Sequence, residues 1–199
     1  MKRFVIGSVI GAVALFFWGF VFWVLNPLSY SVLLHPKDEV QLGTLLREQL
    51  PDSGTYVLPH PLDPTETVNK LSLDGPIATI HMIREGRPAM EPRILIVGFL
   101  HGFAVVLMIA MLMTIALPAL SSYGSRARFA TIFGIASALF VHGGSVIWMR
   151  EGRPWHMVNA IYEVSACVII VLVLAVVIKP AAAQGKFDTG PGQKTDALS

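Results

Sequence analysis

"WHMVNAIYEVSACVIIVLVLAVVI" runs from Trp155 to Ile178 and contains one carboxylate, Glu163, with no lysine or arginine. About 20 predominantly apolar residues are enough to cross the hydrocarbon core of a bilayer as a helix, so this stretch reads as a transmembrane helix. Three more stretches meet the same condition: Phe4 to Leu25, Ile94 to Leu117 and Phe129 to Met149. The composition agrees, with 54% hydrophobic and 14% charged residues and a mean hydropathy of +0.63. A soluble domain carries about a quarter charged residues. The net charge of +2 is too small to argue for nucleic acid, so the expected partner is the lipid bilayer. Cys167 is the single cysteine. It excludes an internal disulfide and reads as a small core residue.

The expected fold is an all-α membrane protein of four transmembrane helices. Residues 1–26 form helix one, 27–91 a small extracytoplasmic α+β insertion, 92–178 helices two to four, and 179–199 a disordered cytoplasmic tail. Helix one follows Lys2 and Arg3 as a secretory signal would. Its apolar core is too long for one, however, and no small-residue cleavage site precedes Asn26-Pro27. With the N-terminus in the cytoplasm, the short cytoplasmic segments carry Lys2, Arg3, Arg126, Arg128, Lys179, Lys186 and Lys194. The charge rule for short loops therefore favours N-in and C-in, with "SSYGSRAR" as the cytoplasmic turn between helices two and three.

Within the insertion, "HPKDEVQLGTLLREQL" has Leu42, Leu45, Leu46 and Leu50 at helical spacing with acidic residues in its first turn. "GTYVLPHP" reads as a strand ended by proline, and "GPIATIHMI" as a second strand. A unit of this size has a marginal core. It is expected to rest on the helices and to offer a surface to a membrane or periplasmic protein partner.

The pentapeptide REGRP occurs twice, as Arg84 to Pro88 and as Arg150 to Pro154. Glycine suits a turn and proline the first helical position, so each copy reads as a turn launching a helix. A duplication offers a reason for the repeated charges. Ala14, Leu15, Phe16 and Gly19 of helix one align without gaps on Ala138, Leu139, Phe140 and Gly143 of helix three. Two hairpins related by an axis normal to the membrane would face their turns at the outer rim. The rim set is then Arg84, Glu85, Arg87, Arg150, Glu151 and Arg153, with Arg87 against Glu151 and Arg153 against Glu85.

Ionisable residues inside spans are costly and mark candidate sites. At 1.5 Å rise per residue, His101, His142 and Glu163 each lie roughly 11–12 Å below the outer end of their helix, and Trp18 roughly 11 Å below Leu25. Three helices thus put their ionisable groups in one layer. His156, Asn159, Glu163 and Cys167 share one face of helix four and point a polar stripe outward, with Tyr162 beside it. Gly98 and Gly102 flank His101, and Gly143-Gly144 follow His142, allowing close packing. The layer is expected to be one hydrogen-bonded cluster, with Trp18 and Tyr162 closing its sides and Asn159 and His156 leading to the surface. Three chemistries fit it. The polar groups can lock the helices together. His101, His142 and Glu163 can ligate zinc or non-haem iron, or the two histidines haem. The stripe can carry protons or a small solute. No nucleotide loop, haem-attachment motif or metalloprotease motif accompanies them, and no cofactor is assigned.

"FFWGFVFWVLNP" and "RPWHMVNAIYE" resemble segments of uncharacterised small bacterial inner-membrane proteins with four helices. That resemblance implies the architecture and brings no activity or site with it. The sequence therefore points to an accessory or assembly protein, not an enzyme, with a metal- or haem-binding redox protein or a proton-linked solute pathway as alternatives. A reporter joined after residue 199 that works only outside the cytoplasm should stay silent. Activity of that fusion would invert the topology.

Overall fold

The computed structural model describes residues 2–88 and 91–178; the segment 179–199, expected to be disordered, lies outside the described residues. Among the described residues, four helices are long and apolar enough to span a membrane: Phe4–Leu25, Pro92–Ala116, Tyr123–Trp148 and Arg153–Val177. A small unit of two helices and a two-stranded sheet separates the first from the second.

Helix α1 (Lys2–Phe20) continues into a π-helical turn, Val21–Leu25. A π turn carries an extra residue and disturbs the regular ladder of backbone hydrogen bonds. Here the Phe22 carbonyl is taken by the hydroxyl of Ser29, in the short 3₁₀ turn Pro27–Ser29 that the Asn26 side chain caps by accepting from Leu28 N at 3.1 Å. The second span is α4 (Pro92–Ala116). The third is α5 (Tyr123–Ala138), a π turn (Leu139–Gly143) and α6 (Gly144–Trp148). The fourth is α7 (Arg153–Val177).

The third span starts at Tyr123, six residues before the expected Phe129, and so takes in most of the segment read as a turn. The cause is local. The Ser122 hydroxyl accepts from Ser125 N at 3.0 Å and the Ser125 hydroxyl accepts from Ser122 N at 3.2 Å, a reciprocal cap that starts the helix there. Arg126 consequently lies on the helix and is buried. Its guanidinium donates to Leu120 O at 3.0 Å and to Ala175 O at 2.9 Å. A helix C-terminus leaves carbonyls without partners and bears partial negative charge. Arg126 answers both at the end of α7 and ties the α4–α5 connection to it.

Helix α7 is central. It packs along α5 on one side and α1 on the other, while α4 packs along α1 and touches α7 less. The core is Ala12, Val106, Ala110, Met113, Ala130, Ile170, Val171 and Leu174. Between apolar helices in lipid, association depends on close packing, which small residues permit. A Cβ on Gly11 would sit 2.8 Å from Val106 Cγ1, and one on Gly134 would sit 3.1 Å from Cys167 Cβ and 3.2 Å from Val164 Cα.

In the insertion, α2 (Glu39–Gln49) is capped by Asp38, which accepts from Gln41 N at 2.8 Å. Strands β1 (Gly54–Leu58) and β2 (Ala78–Met82) pair antiparallel with Tyr56 opposite Ile80. Between them lies α3 (Thr65–Asp74), ended by Gly75 at φ 67°. The sequence reading missed α3, although Pro64 before it and a glycine after it are helix boundary signals. Of the unit's large hydrophobic residues, Leu50 is buried, while Leu34 is 93% and Leu73 88% exposed.

Gly134→Ala should lower stability in detergent by about 1–3 kcal/mol, since a backbone atom blocks the added methyl. Gly144→Ala, whose Cβ meets nothing within 4 Å, should leave stability unchanged or raise it by up to ~1 kcal/mol. Thermal unfolding of both variants measures the difference.

A half-buried polar chain as candidate functional site

The π turn in the third span carries His142 and directs it at α7. His142 Nε2 stands 3.1 Å from Glu163 Oε2, and the other carboxylate oxygen of Glu163 accepts from the Ser137 hydroxyl. The opposite ring nitrogen, His142 Nδ1, is 3.3 Å from His156 Nδ1. His156 Nε2 is 2.6 Å from Glu151 Oε2. Ser137, Glu163, His142, His156 and Glu151 therefore form one chain. It starts inside the α5–α7 seam and ends in the turn between α6 and α7, at the insertion-bearing end of the bundle.

Helical spacing explains how α7 supplies two of these. His156 and Glu163 are seven residues apart, two turns on the same face, and Cys167 continues that face against Gly134 of α5. Asn159 lies on the stripe but does not join the chain. Its amide donates to Trp155 O at 2.8 Å, one turn back on its own helix, where the carbonyl is near enough to compete.

Trp18 and Tyr162 are on the other side of α7. The Trp18 indole donates to Ser165 Oγ at 3.0 Å, and Ser165 in turn donates to Tyr162 O at 2.9 Å. Phe22 and Trp23 pack on the Tyr162 ring at 5.1 and 5.4 Å, and Trp23 reaches Trp155 at 5.7 Å. This aromatic wall holds α1 to α7 and backs the chain from behind the helix.

His101 is not in the layer. It is exposed, on the face of α4 turned away from the bundle. Matching depth placed it level with the others, but depth says nothing of rotation about the helix axis, and α4 buries Val106, Ala110 and Met113 instead. His101, His142 and Glu163 therefore do not converge as metal ligands, nor do the two histidines face each other across a haem. Among the described residues no group of three His, Cys, Asp or Glu side chains is placed to hold a metal ion.

The two pentapeptides do not form reciprocal pairs among the described residues. Arg84 donates to Arg47 O at 2.7 Å and Leu50 O at 3.0 Å, satisfying carbonyls at the end of α2, and Glu85 accepts from the Ser53 hydroxyl at 2.8 Å. That hydrogen bond, with Arg87 and Arg84 adding charge, holds the Glu85 carboxyl below its ordinary range. The tie is thus complete when Glu85 is ionised and weakens as pH falls through the lowered value. Glu151 in the second copy belongs to the chain. The backbones differ too. The left-handed residue is Gly86 (φ 63°) in the first copy and Arg150 (φ 55°) in the second. Helix α7 starts on the second copy, whereas α4 starts beyond the first, at Pro92. The extended packing of α1 on α7 has no counterpart between α5 and α4, which an approximate two-fold relating the hairpins would require. Arg150 and Arg153, with Arg87, form no ion pair among the described residues.

Sequence reasoning missed Ser137 and Ser165. The signal for Ser137 was its isolation as a hydroxyl in an apolar run. For Ser165 it was the need of the Trp18 indole, inside a span, for an acceptor.

The proton count of the chain follows from its links. The His142–His156 and His156–Glu151 hydrogen bonds each need one proton. A third proton, on His142 Nε2 facing Glu163 Oε2, charges one of the two rings and makes that contact an ion pair. Moving the proton between the two Nδ1 atoms transfers that charge from the ring beside Glu163 to the ring beside Glu151. A cleft of about 440 Å³ opens above this end, lined by Ile77, Thr79 and His81 of the insertion side and by Arg150, Glu151 and His156.

Glu163→Leu should destabilise the protein by about 1–3 kcal/mol for each partner stranded, here His142 and Ser137. Glu163→Gln keeps an acceptor for one and a donor for the other and should cost less. Unfolding midpoints of the two variants in detergent test the order, and a Leu variant as stable as Gln would refute the bonding scheme.

No protein-family model, curated protein or solved structure matches the chain.

Proposed function

We propose that this is an integral protein of a bacterial inner membrane, N-in and C-in, that works as an accessory protein without catalysing a reaction. Its insertion meets a partner protein outside the cytoplasm, and its half-buried polar chain lets Glu163 exchange protons with that side alone. One observation carries the reading. Contacts run without a gap from Glu163 through His142 and His156 to Glu151, and among the described residues no hydrogen bond extends the chain beyond Ser137. Past Ser137 the seam is Gly134, Cys167, Ala130, Ile170 and Val171, and Thr131 and Arg126 beyond them bond to backbone carbonyls and not to the chain. A path open at one end does not conduct across a membrane. It sets the protonation of an internal group from one face, and that group joins the π turn of one helix to the face of another.

The short-loop charges support the orientation. The thin core of the insertion, with Leu34, Leu62 and Leu73 exposed, supports a partner, since apolar surface left open marks an interaction site.

In proteoliposomes of uniform orientation, the carboxyl band of Glu163, identified by its loss in Glu163→Gln, should respond in infrared difference spectra to the pH on the insertion side. It should ignore the pH on the other. A band that responds to neither side would leave the chain a structural lock.

A further inference from the structure

His101 is an ionisable residue in the outer half of a span, on an exposed face, and the chain described above does not use it. Polar residues within spans nearly always face protein or water, because lipid offers them no hydrogen bond. The surface around it is ordered. Ile94, His101 and Met108 fall at every seventh position, and Val97, Ala104 and Met111 at the positions three further on, all of them exposed. The repeat continues to Ile115, 78% exposed. This is the a/d pattern of a coiled-coil seam with one polar residue at a single a position, the arrangement that fixes register and copy number. Gly98 stands beside the seam, and a Cβ there would meet nothing within 4 Å, so another helix can approach. Helix α4 is also an edge of the bundle, packed chiefly on α1.

We propose that the outward face of α4 is the interface between two copies of this chain, related by a two-fold axis along the membrane normal, with His101 bonded to His101 of the second copy. A two-fold along the normal sets the α4 helices parallel and brings each residue of the seam to its own depth in the other copy. The one polar residue therefore meets a polar residue without any further adjustment. A neutral imidazole has one donor and one acceptor, so two of them make a hydrogen bond in opposite tautomers. An unrelated helix would need a polar group at that same depth. The inference rests on the membrane reading, but not on proton exchange at Glu163.

The test uses full-length protein in native membranes, with Cys167→Ala as the cysteine-free background. Val97→Cys and Ala104→Cys should give disulfide-linked dimers under mild oxidation, while Phe17→Cys, on the exposed face of α1, should not. His101→Leu should weaken dimerisation, read by energy transfer on dilution into lipid, by about threefold to tenfold. Protein that stays monomeric at high protein-to-lipid ratio would overturn the proposal. So would Phe17→Cys linking as readily as Ala104→Cys, or linkage only to chains of another mass. Release of the protein from membranes by alkaline washing would overturn the membrane reading itself.

Discussion

Glu163 is the one carboxyl group in the four spans, and the contact it makes with His142 at 3.1 Å constrains the rest of this end of the protein. A carboxyl group turned toward lipid would cost several kcal/mol, so α7 must present this face to another helix. Glu163 then faces α5, and Cys167, one turn on, is brought against Gly134, where the absence of a side chain allows the backbones to close. His142 reaches Glu163 from the π turn that interrupts the third span. Local π geometry inside a helix is uncommon and concentrates at functional positions. Here it places one histidine between a glutamate on the next helix and a second histidine nearer the surface.

The same logic operates at the far end of α7 with the opposite charge. Arg126 is buried against carbonyls at the C-terminus of α7, where a cation is favoured by the helix dipole. Helix α7 is thus held to the third span at both ends by charged groups and between them by close apolar packing. On its other face an aromatic wall and the Trp18–Ser165 bond hold α1. That leaves α4 attached mainly through α1, with its outward face free, which is why depth alone misled the placement of His101.

What the sequence made legible follows from what each signal measures. The spans were readable because twenty apolar residues have few other destinations, and the strands because β-branched residues clustered between turn residues. The start of the third span was not, because hydropathy marks where apolar residues begin, while Ser122 marks where backbone hydrogen bonding begins. In the site, seven-residue spacing put His156 and Glu163 on one face, and equal depth put His142 beside Glu163. Neither could assign the rotation of α4, since its outward face is as apolar as its packed face. Asn159 fell out of the chain for a different reason, a competing carbonyl one turn away that periodicity does not register.

The repeated pentapeptide shows the limit of local sequence most clearly. Five identical residues place the left-handed conformation at the third position in one copy and at the first in the other. Glycine tolerates either sign of φ, so the motif itself does not choose. The partners choose. In the first copy, Arg84 is drawn to the open carbonyls of α2 and Glu85 to Ser53, and the turn forms around those bonds. In the second, the Glu151 carboxylate is drawn to His156 while Glu151 N donates to Ser145 O at 3.3 Å, and Arg150 accepts a conformation that disfavours side chains. An arginine in the left-handed region costs about 1 kcal/mol, and the structure tolerates that cost where it lets the last link of the polar chain close.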